Sequence, residues 1–155
     1  MIHPLHYRLC VADPAAHYFD VTLSIQALTP GPLTLRLPCW IPGSYLLREF
    51  ARHIVSLHAQ ADGAAIAVTK TDKHSWTLDP GQARRLEVHY RVYAFDLSVR
   101  GAYLDLERGF FNGSSVFLEV AGRADEPVSV EITAPEHPAC ADWKLVASLP
   151  RLGRA

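Results

Sequence analysis

Eight histidines, three cysteines and a serine within Pro42-Gly43-Ser44-Tyr45 are the residues of this 155-residue sequence whose types could do chemistry. Catalytic zinc needs about three protein ligands converging on one point, commonly with two on one helix face as in HExxH. No HExxH occurs. His3 and His6 flank Pro4 close to the first residue, where a helix is not expected, and the spacing of His53 and His58 puts them on different faces of a helix or a strand alike. Each histidine therefore reads as surface or half-buried. Ser44 partly fits a nucleophile elbow, but that motif needs G-x-S-x-G and the second glycine is missing. A turn or capping hydroxyl is the expectation, with no labelling by a serine-directed fluorophosphonate.

Asp96, Asp105 and Glu107 lie near Arg100 and Arg108, and two carboxylates meeting in a pocket could do acid–base work. Alternation along this segment instead puts several of them on the wet face of neighbouring strands, which predicts cross-strand ion pairs. Cys10, Cys39 and Cys140 are odd in number and lack CxxC spacing, so they read as scattered thiols, with one disulfide left open. Trp40, Tyr45, Tyr103, Phe110 and Phe111 all sit beside Pro, Gly or Asn. Such placement puts apolar bulk at the rim of the fold, either closing the core at a corner or meeting a partner.

The elements that must position these residues are strands. Phe19, Val21, Leu23 and Ile25 alternate with Asp20, Thr22 and Ser24, the pattern of a strand with one buried and one wet face. The pattern recurs at Leu33, Leu35 and Leu37, at Leu86, Val88, Tyr90 and Val92, and at Val128, Val130 and Ile132. Turn signals separate these runs at Asp13-Pro14, Pro30-Gly31-Pro32, Asp62-Gly63, Asp79-Pro80-Gly81 and Asn112-Gly113, the last read as the centre of a tight hairpin. The expected fold is all-β, an antiparallel β-sandwich in a single domain over residues 1–155. One short helix or helical turn is expected near 45–52, where Leu47, Phe50, Ile54 and Leu57 have helical spacing and Ser44 is placed to cap; a turn over about 46–52 followed by a strand is the competing reading. The segment beginning at Trp143 reads as a last apolar strand with a basic tail.

A formal net charge of −1 with 20% charged residues gives no footing for nucleic acid or an anionic membrane. No segment approaches the roughly 20 apolar residues of a membrane span, and no signal peptide opens the chain, so a cytoplasmic location is expected.

Three stretches, "PCWIPGSYLLREFARHI", "KTDKHSWTLD" and "YRVYAFDLSVRGAYLDLERGFFNGSSVFLEV", together resemble the N-terminal domain of the glycyl-aminopeptidase-type zinc metallopeptidases, the PDZ-containing relatives of aminopeptidase N. The resemblance runs from about His6 to Leu149. It implies a β-sandwich packed on a thermolysin-like catalytic domain that carries HExxH, followed by a PDZ domain, with zinc activating water for removal of an N-terminal residue from a peptide. None of the zinc-site residues lies in this sequence. The resemblance thus implies no catalytic or metal-binding residue and no cofactor here, zinc and peptide substrate belonging to the parent enzyme. The matching positions are Trp40, Pro42, Gly43, Ser44, Tyr45, Arg48, Trp76, Arg100, Tyr103, Phe110, Asn112 and Gly113. Of these, Trp40, Pro42, Gly43, Ser44, Tyr45, Arg48, Phe110 and Asn112, together with Phe111, are expected to face the catalytic domain. The alternative is a free-standing immunoglobulin-like module that uses the same aromatic rim for a protein or carbohydrate ligand; an HExxH run encoded beyond Ala155 would separate the two.

Overall fold

The computed structural model describes residues 3–153. Alternating sequence becomes paired strand: β1 (Leu5–Asp13) and β2 (Tyr18–Ile25) form the first hairpin, and β3 (Leu33–Arg36) begins the second layer. A 3-10 turn, Phe50–His53, leads into β4 (Ile54–Ala61), followed by β5 (Ala64–Ile66), β6 (Val68–Lys70), β7 (Ser75–Leu78) and β8 (Leu86–Tyr93). The chain continues through β9 (Ala102–Leu104), β10 (Gly109–Phe111), a 3-10 turn at Gly113–Ser115, β11 (Glu119–Val120), β12 (Val128–Thr133) and a last 3-10 turn at Pro138–Cys140.

The strands make a six-stranded sheet in the order β12-β1-β2-β8-β4-β5, a four-stranded sheet in the order β11-β3-β7-β6, and the small hairpin of β9 and β10. This is the β-sandwich that period-two alternation requires. All pairings are antiparallel except that β12 lies parallel to β1. Only Ala67 separates β5 from β6, so the chain steps from one sheet to the other at that edge.

The core is the inward row of each strand. Phe19, Val21, Leu23 and Ile25 of β2 and Leu86, Val88, Tyr90 and Val92 of β8 are all buried, opposite Leu35, Trp76, Leu78 and Val120 of the second sheet. Burying one such side chain stabilises by roughly 1.5–3 kcal/mol. Val116 and Leu118 fill the core from a segment outside any strand, and two phenols hold it there. Tyr7 donates to the Leu118 carbonyl at 2.6 Å; Tyr90 donates to the Val116 carbonyl at 2.8 Å and accepts from the Leu118 N–H at 3.3 Å.

Several local expectations are corrected. The tight hairpin sits at Asp62-Gly63, where both residues take positive φ (47° and 85°) and Ala61 pairs with Ala64. Asn112-Gly113 is no hairpin: the Asn112 side chain caps the 3-10 turn by accepting from the Ser114 N–H at 3.2 Å. Near residues 45–52 the competing reading holds, a short turn then a strand, with the turn at 50–53; Leu47 is exposed instead of facing a helix stripe, and Ser44 does not cap it. No strand forms after Thr133 among the described residues, and Leu145, Val146, Leu149 and Leu152 lie exposed. The three cysteines are free, so the disulfide alternative fails. Among the described residues no helix is long and apolar enough to cross a membrane.

Candidate docking surface

After β3 the chain buries Leu37 and leaves the sheet in a loop anchored at both ends by buried side chains, Ile41 and Phe50. Short-range hydrogen bonds shape it. Ser44 N–H donates to the Ile41 carbonyl at 3.1 Å, Trp40 Nε1–H donates to the Ser44 carbonyl at 2.7 Å, and Arg48 N–H donates back to the Cys39 carbonyl at 2.6 Å. Gly43 supplies the positive φ of +80° that closes this turn. The buried Ser44 hydroxyl is fully engaged within the loop: it donates to the Leu46 carbonyl at 3.1 Å and accepts from Arg48 Nε–H at 3.4 Å. No imidazole touches it, and it is a structural hydroxyl. With its polar groups spent internally, the loop turns its apolar side chains outward: Trp40, Tyr45, Leu46 and Leu47 are between 53% and 104% exposed.

A second loop, residues 94–101, does the same. Ala94 N–H donates to the His17 carbonyl, and Asp96 N–H donates to the Ala102 carbonyl at 3.0 Å, fixing where the loop leaves and rejoins the sandwich. Within it, Asp96 Oδ1 accepts from Ser98 N–H at 2.8 Å, and Gly101 N–H donates to the Ser98 carbonyl at 2.9 Å. Phe95, Leu97 and Val99 project outward, 53% to 80% exposed. The loops flank one narrow crevice of about 10 Å³, lined by Phe50, His53, Tyr93, Asp96, Gly101 and Ser115. That space suits one water and no substrate. His53 is held below the ordinary imidazole range by burial first and by Arg52 second, with Asp96 opposing.

From this crevice a file of aromatic rings leads away, with Tyr103 buried between its neighbours. Tyr93 lies 6.5 Å from Phe95, Phe95 stacks on Tyr103 at 5.4 Å, and Tyr103 stacks on Phe110 at 6.0 Å, while His17 packs 4.0 Å from Phe95. Such pairs prefer centroid separations of about 4.5–7 Å. Tyr103 donates its hydroxyl to Asp105 at 2.8 Å, and Asp105 accepts from the N–H groups of Glu107 and Arg108 to close the β9–β10 turn. The Tyr103 hydrogen bond is the first reason the Asp105 carboxyl sits below its ordinary range.

The cross-strand ion pairs expected of Asp96, Asp105 and Glu107 are therefore absent among the described residues: the two aspartates close turns, and Arg108 lies over the Tyr103 ring at 5.9 Å.

Of the residues singled out in sequence, Trp40 and Tyr45 point to solvent, with Pro42, Gly43, Ser44 and Arg48 building the loop that presents them. Asn112 N–H donates to the Gly101 carbonyl at 3.0 Å, which ties the β10 end to the 94–101 loop. Phe110 joins the aromatic file, whereas Phe111 turns inward, edge-on to Phe19 at 5.7 Å and to Phe117 at 5.5 Å. Leu47 was read as part of a helical stripe, and Leu46, Phe95, Leu97 and Val99 were not singled out. Their signal was present in "LL" and "FDLSV", but alternation in the latter imitates a strand.

The histidines scatter as expected: His6 meets Ser129 and Glu131, His17 meets the Leu104 carbonyl, and His58 stacks on His89. No three His, Cys, Asp or Glu side chains converge as a ready metal site among the described residues.

The peptidase M61 N-terminal domain family matches residues 6–155. Among solved structures the chain is similar to an aminopeptidase N family protein from Idiomarina loihiensis, at 40% identity and a TM-score of 0.90, covering 97% of this chain and 25% of that one. It is also similar to a mutant M1 zinc metallopeptidase from Deinococcus radiodurans, at 18% identity over 67% of this chain and 24% of that one, but a TM-score of 0.38 supports no argument. No curated protein matches. The chain spans about a quarter of the length of the Idiomarina relative.

Proposed function

We propose that this chain, which belongs to the peptidase M61 N-terminal domain family, is the non-catalytic β-sandwich of a longer zinc-dependent aminopeptidase, packing on its catalytic domain and helping to shape the active site. One observation supports this best. Two internally hydrogen-bonded loops turn apolar side chains to solvent, Trp40, Tyr45, Leu46 and Leu47 on one and Phe95, Leu97 and Val99 on the other. Single exposed apolar residues are ordinary, but several on one internally hydrogen-bonded loop are what a partner surface requires.

The partners are then the catalytic and PDZ domains of the same polypeptide, and the peptide substrate belongs to the catalytic domain. Zinc does not fit this chain, which has no HExxH and no three converging ligands among the described residues, so no catalytic step is assigned to it. Three unpaired thiols support a reducing, cytoplasmic setting.

The test is reconstitution. This chain and the remainder of the protein, produced separately, are mixed and followed by light scattering and by hydrolysis of a glycyl-amide substrate. A one-to-one complex weakened by Tyr45→Ser and Phe95→Ser is the expected result. Failure to associate, or association untouched by both substitutions, overturns the reading.

A further inference from the structure

We propose that residues 143–149 are a strand that forms only on docking, adding its main chain to an exposed sheet edge in the remainder of the longer polypeptide. This role rests on the docking proposed above and supplies one element of it. The segment WKLVASL carries the alternation of a strand, with Trp143, Leu145, Ala147 and Leu149 in one row, Lys144, Val146 and Ser148 in the other, and Pro150 closing it. Yet no strand forms there among the described residues.

The segment is anchored at its start and bare beyond it. Cys140 is buried, Trp143 N–H donates to the Cys140 carbonyl at 3.1 Å, and the Trp143 ring packs on the core beside Gly109, where an added Cβ would lie 3.5 Å from it. Gly109 precedes Phe110, so the segment leaves the sandwich beside the aromatic file. Past Trp143 the contacts stop. Leu145, Val146 and Leu149 are 46%, 90% and 64% exposed. None of residues 144–150 makes a hydrogen bond from main chain to main chain among the described residues, and the Leu145 carbonyl accepts only a long bond, 3.5 Å, from Arg151.

A segment with an apolar row and free N–H and C=O groups is suited to strand addition, in which main-chain bonds give affinity and alternate side chains give specificity. A sheet edge satisfies both features, whereas an apolar groove would cover the side chains and leave the buried main chain unpaired. The family match runs through the segment to residue 155, so the segment belongs to the family's domain. The chain covers 25% of the Idiomarina relative, so most of such a protein lies elsewhere and can supply the edge.

The test follows amide exchange by mass spectrometry in this chain alone and after mixing with the separately produced remainder of the protein. Amides of residues 144–149 should exchange freely in the chain alone and slow by about a hundredfold or more in the complex. Val146→Pro and Ala147→Pro remove neighbouring N–H groups, one of which must face the partner strand, so at least one should weaken the complex about tenfold or more. Val146→Thr keeps the N–H and should bind as the parent does. None of the three should move the melting temperature of the chain alone, since both positions are exposed and their N–H groups are unpaired there. A complex that forms with these amides still exchanging freely, or that tolerates both proline variants, overturns the docking strand and leaves the loops of Tyr45 and Phe95 as the docking surface. Slow exchange in the concentrated chain alone assigns the strand to a second copy and overturns it as well. No complex at all removes the docking reading, and the strand with it.

Discussion

Tyr90 reaches from the middle of β8 to the Val116 carbonyl, 2.8 Å away, and so binds a non-strand segment to the sheet. The same oxygen accepts from the Leu118 N–H. In Tyr90→Phe both backbone groups, at two fully buried residues, lose their partner. An unpaired buried polar group costs about 1–3 kcal/mol. Urea unfolding should show that loss as a lower midpoint with an unchanged slope.

Alkali should unfold the protein through the same phenols. Burial first, and the Glu119 charge second, push Tyr7 up to about 12, and burial raises Tyr90 as well. The unfolded phenol ionises near 10 and the folded one does not, so this stability is fully present below pH 10 and lost as pH rises from 10 to 12. For Tyr7 alone that is about 2–3 kcal/mol. Melting temperatures measured at pH 9 and 11.5 should fall steeply in the native chain and less in Tyr7→Phe.

Ser44→Ala removes the hydroxyl that joins Leu46 and Arg48 inside the loop after β3. The expected cost is about 1–2 kcal/mol, seen mainly as faster proteolysis within residues 40–48. Cleavage at the wild-type rate would mean the hydroxyl does not order the loop.

Exposed and inward aromatics should separate cleanly. Tyr45→Ser and Phe95→Ser are expected to change the stability of this chain by less than about 0.5 kcal/mol while weakening its association with the remainder of the protein. Phe111→Ser should cost about 3 kcal/mol in this chain, since that ring packs on Phe19 and Phe117. Equal losses in all three would remove the distinction between surface and core on which the proposed docking surface rests.

The strands were legible because Phe19 to Ile25 and Leu86 to Val92 alternate without interruption, and alternation is dictated locally by the pleat. The loop Pro42 to Tyr45 was legible as a corner for the same kind of reason, Pro42 fixing one backbone angle and Gly43 being free to take the positive φ the turn needs. Long-range geometry was not. Asp105 was expected to meet an arginine, but backbone N–H groups two and three residues on lie closer than any cross-strand partner. Phe110 and Phe111 look equivalent in sequence and face opposite ways, a difference set by the register of β9 and β10. "FDLSV" shows how alternation misleads where an aspartate closes a turn before a strand can pair.

The parallel pairing of β12 with β1 has a consequence for synthesis. β1 and β2 can pair early, and β8 can join once Tyr93 has emerged, yet the outer edge of β1 stays uncovered until Thr133 follows it. At ribosomal speeds that interval lasts roughly 2–8 s. A nascent chain of this protein therefore carries an open strand edge for seconds, and stalled translation between these points would leave it available to chaperones or to other unfinished chains.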